Sequence, residues 1–150
     1  FAKTQTQENT TEINLFNLFT EIKKNLNNKN LILKEFDQII LKGRAFSLKR
    51  CFENVIQNAL NYGKKVHINI KKSSNIVIIN FEDDGPGIPE DQYKNVFKPF
   101  FRLDKSRNLN QSGVGLGLAI VEDVVNSHGG SIQLGKSKYK GLHVKISLPF

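Results

Sequence analysis

Residues 66–89, VHINIKKSSNIVIINFEDDGPGIP, decide how this chain folds. Val66, Ile68 and Ile70 alternate with polar residues, and so do Val77, Ile79 and Phe81. A period of two over each run predicts two strands that share one apolar face, joined by a turn at 72–75. Directly after the second strand, Gly, Pro and Asp dominate 83–91, which reads as a loop by composition.

The flanks supply helices. Upstream, Leu48, Cys51, Phe52, Val55, Ile56 and Ala59 make a near-continuous apolar stripe over 47–61, with Ser47 placed to cap it. Earlier still, Ile13, Phe16, Phe19, Ile22 and Leu26 recur at three and four residues, one face of another helix. Two short β-like runs, 31–33 and 39–41, lie between these helices, and Gly43 ends the second. Residues 1–11 are polar and read as the remnant of a linker, with the domain proper expected over 12–150. Downstream, 102–113 is a polar, irregular segment. Helical spacing returns with Leu118, Val121, Val124 and Val125, and two closing strands follow at 131–134 and 142–148. The expected class is α+β, a two-layer α/β sandwich in which a mixed β-sheet is covered on one face by about three helices.

At 150 residues the chain fits one domain with a sizeable core. It opens at Phe1 and holds no methionine, so it is expected to be a piece of a longer polypeptide. No apolar run approaches the ~20 residues that a membrane-crossing helix needs. Cys51 is the single cysteine and sits in an apolar stripe, which excludes a disulfide framework and points to a buried structural thiol. The net charge of +8 comes mostly from lysines dispersed along the chain. Without a compact basic stripe interleaved with aromatics, a solvated surface is expected and no nucleic-acid partner.

Three segments carry more than packing. Asn54, Asn58, Asn61 and Tyr62 fall on the polar side of the second helix, where neutral carboxamide oxygens suit Mg²⁺ alongside phosphate oxygens and water. The run Asp83-Asp84-Gly85-Pro86-Gly87-Ile88-Pro89 places a carboxylate at a strand end, beside glycines that admit a flat ligand. Gly113-Val114-Gly115-Leu116-Gly117 opens a helix, and free N–H groups there favour an anion. This run does not follow a strand, which disfavours a dinucleotide fingerprint, and it lacks the Gly-Lys-Ser/Thr of a P-loop. Singly, each segment has an ordinary reading: a solvated helix face, an Asp-Gly turn, a flexible glycine linker.

In this order the segments resemble the N, G1, F and G2 boxes of the histidine-kinase ATP-binding domain, a member of the GHKL superfamily with its Bergerat fold. They read NVIQNALNY at 54–62 (its first residue Asn54), DDGPG at 83–87, VFKPFFR at 96–102 and GVGLG at 113–117. The likeness covers about residues 12–150 and is closest to osmosensor kinases of the EnvZ type. It implies ATP and Mg²⁺ as cofactors. Asn58 is implied as the main Mg²⁺ ligand, with Asn54 one turn earlier on the phosphate side, and Tyr62 as the aromatic that packs on adenine. Asp83 is implied to pair with the adenine amino group, with Gly85, Gly87 and Ile88 around the base. Phe97 and Phe100 would fasten a lid over about 98–113, and Arg102, Lys105 and Arg107 would face the phosphates. Gly113, Gly115, Leu116 and Gly117 would line the triphosphate, and Asn58 and Arg102 would serve the transfer step. Gly141 resembles a later glycine near the final strand. Asn61 departs from the pattern, because lysine or arginine is usual there; Lys64 or Lys65 would have to replace it.

The resemblance further implies γ-phosphoryl transfer to a histidine on a separate dimerisation and phosphoacceptor domain of the same kinase, with a response regulator downstream. The parent is expected to be a homodimer anchored in the inner membrane, with this domain in the cytoplasm. His67, His128 and His143 lack the context of a phosphoacceptor histidine and read as surface or structural residues. An ATPase of the gyrase, Hsp90 or MutL kind is the main alternative. It would need a glutamate one turn before Asn58, where Asn54 stands; Glu53 points some 100° away on a helix. A GHKL serine kinase is a further alternative.

Overall fold

Alternation along the central strands puts Val66, Ile68 and Ile70 on the same face as Val77, Ile79 and Phe81, and the register holds them there. In the computed structural model, which describes residues 8–99 and 117–150, Ile68 lies opposite Phe81 and Ile70 opposite Ile79. Phe81 in turn faces Val144, Ile79 faces Ile146 and Val77 faces Leu148. The result is a continuous apolar surface three strands wide, all of it buried.

The elements in chain order are β1 (Thr11–Asn14), α1 (Leu15–Leu26), β2 (Leu31–Phe36), β3 (Ile40–Gly43), α2 (Ala45–Tyr62), β4 (Val66–Ser73) and β5 (Ile76–Asp83). Two 3-10 turns (Glu90–Gln92, Asn95–Phe97), α3 (Gly117–Ser127), β6 (Ser131–Lys136) and β7 (Leu142–Pro149) follow. The main sheet has the order β2-β4-β5-β7-β6, and β1 and β3 form a separate two-stranded ribbon. Among the described strands only β2 and β4 run parallel; the other neighbours are antiparallel, so the sheet is mixed.

The three helices among the described residues bury their apolar stripes on the same sheet face. Phe19 of α1 stacks on Phe52 of α2 with ring centroids 4.8 Å apart, and both rings approach Phe81 of β5 at about 6 Å. Leu118, Val121, Val124 and Val125 close the core from α3. Cys51 is fully buried between α2 and α3, and burial pushes its thiol pKa far up, so it is inert packing. This is the two-layer α/β architecture expected from the sequence.

Two local expectations need correction. The first helix starts at Leu15, not Ile13, because Asn14 caps it: its side-chain oxygen accepts from the Asn17 N–H at 3.0 Å. Ile13 is instead extended and pairs with Leu41. The buried stripe is therefore Leu15, Leu18, Phe19 and Ile22, and Phe16 turns outward, edge-on to Phe36. The second helix starts at Ala45, and Ser47 is not its cap. Glu8, within the stretch that composition groups with a linker, takes that role. Its carboxylate accepts from the N–H groups of Phe46 (2.6 Å) and Ser47 (3.0 Å) and from the Ser47 hydroxyl (2.9 Å).

Candidate functional site

Helix α2 carries Asn54, Asn58 and Asn61 half-buried on its polar side, and Tyr62, 39% exposed, as its last residue. Asn61 is engaged within the helix, where its side-chain oxygen accepts from Gln57 Nε2 at 3.3 Å. The chain leaves the helix through Gly63. A Cβ at Gly63 would stand 2.8 Å from both Asp84 Oδ1 and the Gly85 backbone nitrogen. A Cβ at Gly85 would stand 2.9 Å from the Tyr62 carbonyl oxygen. These two glycines let the loop after β5 lie directly on the end of the asparagine-bearing helix, and that contact joins the two sequence motifs into one site.

Asp83 ends β5 and is 5% exposed. Its Oδ1 accepts from the N–H of Gly85 (2.9 Å) and of Leu142 (3.0 Å), and its backbone carbonyl accepts from Gly141 N–H at 3.1 Å. Burial raises its pKa; the two backbone donors oppose the rise, and neighbouring Asp84 adds to it. Both backbone N–H donors converge on Oδ1, and neither engages Oδ2. Asp84 is exposed and does something else. Its Oδ1 accepts from Lys64 N–H (2.7 Å) and Lys65 N–H (3.0 Å), and the Lys65 bond leads the causes that lower its pKa.

Beyond the acids, Gly87 adopts φ +75°, a left-handed conformation that favours glycine, and packs against the Gly141 carbonyl. Ile88 and Phe97 are half-buried and lean on the core. Gly117 is the first residue of α3, and nothing described lies within 4 Å of where its Cβ would be. Phe100, Arg102, Lys105, Arg107, Gly113, Gly115 and Leu116 lie outside the described residues. Among the described residues no group of three or more His, Cys, Asp or Glu is placed to hold a metal. The roles of Gly63, Asp84 and the Leu142 N–H were missed in the sequence. A glycine directly after a helix marks Gly63 in hindsight; a backbone donor such as Leu142 leaves no sequence signal.

The three histidines are built into the fold. His128 Nε2 accepts from Arg44 N–H at 3.0 Å, so Nδ1 carries the proton and donates to the Val124 carbonyl at 2.8 Å. His143 Nε2 lies 2.8 Å from Asn80 Oδ1. His67 stacks on the Tyr139 ring at 3.9 Å, and its Nδ1 is buried. Desolvation lowers the pKa of all three.

With this geometry in place, comparison with known proteins is specific. Residues 43–150 match the family model described as histidine kinase-, DNA gyrase B-, and HSP90-like ATPase. The chain is 36% identical over 107 residues to the sensor histidine kinase GtrS of Pseudomonas aeruginosa, an alignment that takes in 71% of this chain and 22% of GtrS. It thus spans less than a quarter of that relative's length. The mycobacterial sensor histidine kinase MprB superposes with a TM-score of 0.81 at 24% identity, over 94% of this chain and 97% of that structure. The histidine kinase domain of the E. coli osmosensor EnvZ gives 0.69 at 31% identity, over 92% and 87% respectively. EnvZ is one of several comparably distant relatives, so the closer likeness to the EnvZ type narrows to kinship with sensor kinases in general.

Proposed function

The chain belongs to the histidine kinase-, DNA gyrase B-, and HSP90-like ATPase family as an ATP-binding domain related to sensor histidine kinases, and we propose that it passes the γ-phosphoryl group of ATP to a histidine on a separate dimerisation and phosphoacceptor domain. The observation that carries this reading is the junction of Asp83 with the end of α2. A buried carboxylate with one oxygen fixed by two backbone donors stands where the loop meets the helix that bears Asn54 and Asn58.

Asp83 Oδ2 accepts from the exocyclic amine of adenine, with Gly85, Gly87 and Ile88 around the base and Tyr62 against it. The amide oxygens of Asn58 and Asn54, half-buried and one helical turn apart, are a donor set that suits Mg²⁺, and so the residues present fit the ion. When bound, Mg²⁺ supplies neutralisation of the triphosphate charge. Gly117 and the glycines before it offer backbone N–H groups to the phosphates, and Arg102, Lys105 and Arg107 are assigned there by resemblance, as is Phe100 to the lid. Phosphoryl transfer draws mainly on positioning and charge stabilisation, so the chain needs no nucleophile of its own. Asn54 is a poor general base, which favours transfer to a protein over hydrolysis by activated water.

The domain works in this reading within a homodimeric, membrane-anchored sensor on its cytoplasmic side, and the phosphoryl group moves on to a response regulator. No helix among the described residues is long and apolar enough to cross a membrane, so the anchor would lie elsewhere in the polypeptide. The test is incubation with labelled ATP, Mg²⁺ and a purified phosphoacceptor domain in trans. Acid-labile, base-stable phosphate on the acceptor is expected. Release of inorganic phosphate with no acceptor labelling would turn the reading to an ATPase.

A further inference from the structure

The turn between β6 and β7 is bound to the end of β5 from both faces of the sheet. Glu82 and Asp83 are consecutive, so their side chains project to opposite sides of the strand. On the open side, Glu82 Oε1 accepts from Lys138 N–H at 3.1 Å. On the helix-covered side, Asp83 Oδ1 accepts from Leu142 N–H. Between them the turn is closed by its own bonds: Ser137 N–H to Gly141 O (2.9 Å), Lys140 N–H to Ser137 O (3.0 Å) and Tyr139 N–H to Ser137 Oγ (2.9 Å). Lys140 is held at φ +81°, a conformation an L-residue keeps only where its surroundings impose it.

Gly141 is the tightest point. A Cβ there would overlap both Asp83 Oδ1 and the Asp83 carbonyl oxygen and would stand 2.6 Å from the Gly85 nitrogen. Two of those three atoms are backbone, so no side-chain rotation relieves the clash. The outer end of the turn is secured on the open face, where the Tyr139 ring stacks on His67 with an interplanar angle of 15° and its hydroxyl accepts from Lys34 Nζ at 3.1 Å.

We propose that the 137–142 turn positions the Asp83 carboxylate for adenine, that Gly141 permits this by lacking a side chain, and that the Tyr139–His67 stack fastens the turn from the opposite face of the sheet. The proposal rests on the adenine reading given above and adds residues that act through Asp83 without touching the nucleotide.

The test is calorimetric titration of ATP and GTP into the wild-type chain and Gly141→Ala, Tyr139→Ala and Tyr139→Phe variants, each checked for folding by circular dichroism. Gly141→Ala should weaken ATP about tenfold or more while GTP changes less, so the ATP/GTP ratio falls. Tyr139→Ala should lower the same ratio about threefold or more, and Tyr139→Phe, which keeps the stacked ring, should stay within about twofold of wild type. Should Gly141→Ala fail to fold, Tyr139→Ala against Tyr139→Phe decides the matter. Equal weakening of ATP and GTP, with an unchanged ratio, would reduce the turn to general stability and overturn the proposal, as would unchanged binding in folded Gly141→Ala and Tyr139→Ala. Failure of the wild-type chain to bind ATP or to prefer it over GTP would instead overturn the adenine reading itself.

Discussion

Asp83 and Asp84, adjacent in the chain, are held by different parts of the fold: Asp83 by the N–H of Leu142 at the start of β7, Asp84 by the N–H groups of Lys64 and Lys65 just past α2. One is buried; the other is exposed and splints the loop after the helix. Their substitutions should therefore separate recognition from stability. Asp83→Asn should weaken ATP and narrow its advantage over GTP, because an amide offers either a donor or an acceptor. The lost charge-assisted bond corresponds to about 1.5–3 kcal/mol, or roughly ten- to a hundredfold. Asp84→Ala should keep the preference for ATP and cost about 1 kcal/mol of stability, as its two N–H partners turn to water. Competition titrations and chemical denaturation of both variants check this pair. A selectivity loss that followed Asp84 instead would move the adenine contact one residue along.

Asn58→Asp should lower Mg²⁺-dependent ATP affinity by about tenfold or more, since a carboxylate beside the triphosphate changes the charge at the metal. Asn61→Ala should stay within about threefold, because that side chain is already engaged by Gln57 in its own helix. The measurement is ATP binding across a Mg²⁺ series. Equal, small effects at both positions would place the metal elsewhere.

The isolated chain should bind Mg·ATP without labelling itself. His128 spends both ring nitrogens on Arg44 and Val124, His143 is bonded to Asn80, and His67 lies under Tyr139. His128 has both ring nitrogens engaged, and His67 and His143 both pair with Glu82 on the sheet face turned away from α2. Labelled ATP with residues 1–150 alone should leave no acid-labile phosphate on the protein, and its appearance would mark one of these histidines as an acceptor.

Glu8 couples the segment that enters the domain to the helix that bears the asparagines. Desolvation acts to raise its pKa, but bonds from Phe46 and Ser47 outweigh it and the net shift is downward. A depressed carboxylate stabilises the fold above its ordinary titration range and loses that contribution as pH falls through its folded value. Glu8→Ala should cost about 0.5–2 kcal/mol at pH 7, as for the loss of a helix cap, and less at pH 3. Denaturation curves at the two pH values test it; an equal loss at both would mean that packing, not the carboxylate, is what Glu8 contributes.

Local pattern made part of this legible and distance hid the rest. The alternation at 66–70 and 77–81 and the stripe from Leu48 to Ala59 follow from period alone, so the sheet and α2 could be read directly. The phase of α1 could not, because Asn14 competes with the apolar repeat by capping and Ile13 is claimed by a strand partner, Leu41, 28 residues away (41 − 13). The Glu8 cap reaches across 38 residues and the Leu142–Asp83 bond across 59. Neither leaves a periodic trace. At the site, residue type drew attention to Asp83 and the asparagines as candidates, but it gave no sign of the bonds from Lys64 and Lys65 to Asp84.

The last expectation concerns acid. His128 joins the start of α2 to the end of α3, and in the neutral form its Nε2 accepts from Arg44 N–H. Protonation would turn that acceptor into a donor facing another donor, beside the Arg44 guanidinium. Desolvation is the main reason that its pKa lies below the ordinary histidine value, with the Val124 carbonyl opposing and Arg44 reinforcing. The sign follows from proton counting. Between the folded and unfolded values the unfolded chain binds more protons, so stability rises with pH through that window. The contribution is complete above the ordinary histidine value of about 6.5 and drains away as pH falls towards the lower, folded value. His67 and His143 shift in the same direction, so wild-type stability should decline from pH 8 to pH 5. His128→Gln should be about 1–3 kcal/mol less stable than wild type at pH 8, where the Arg44 N–H loses a well-placed acceptor. It should also lose less on acidification, so the two stability curves converge towards pH 5. Urea denaturation at half-unit pH steps measures both curves, and parallel curves would show that His128 is not the group that titrates.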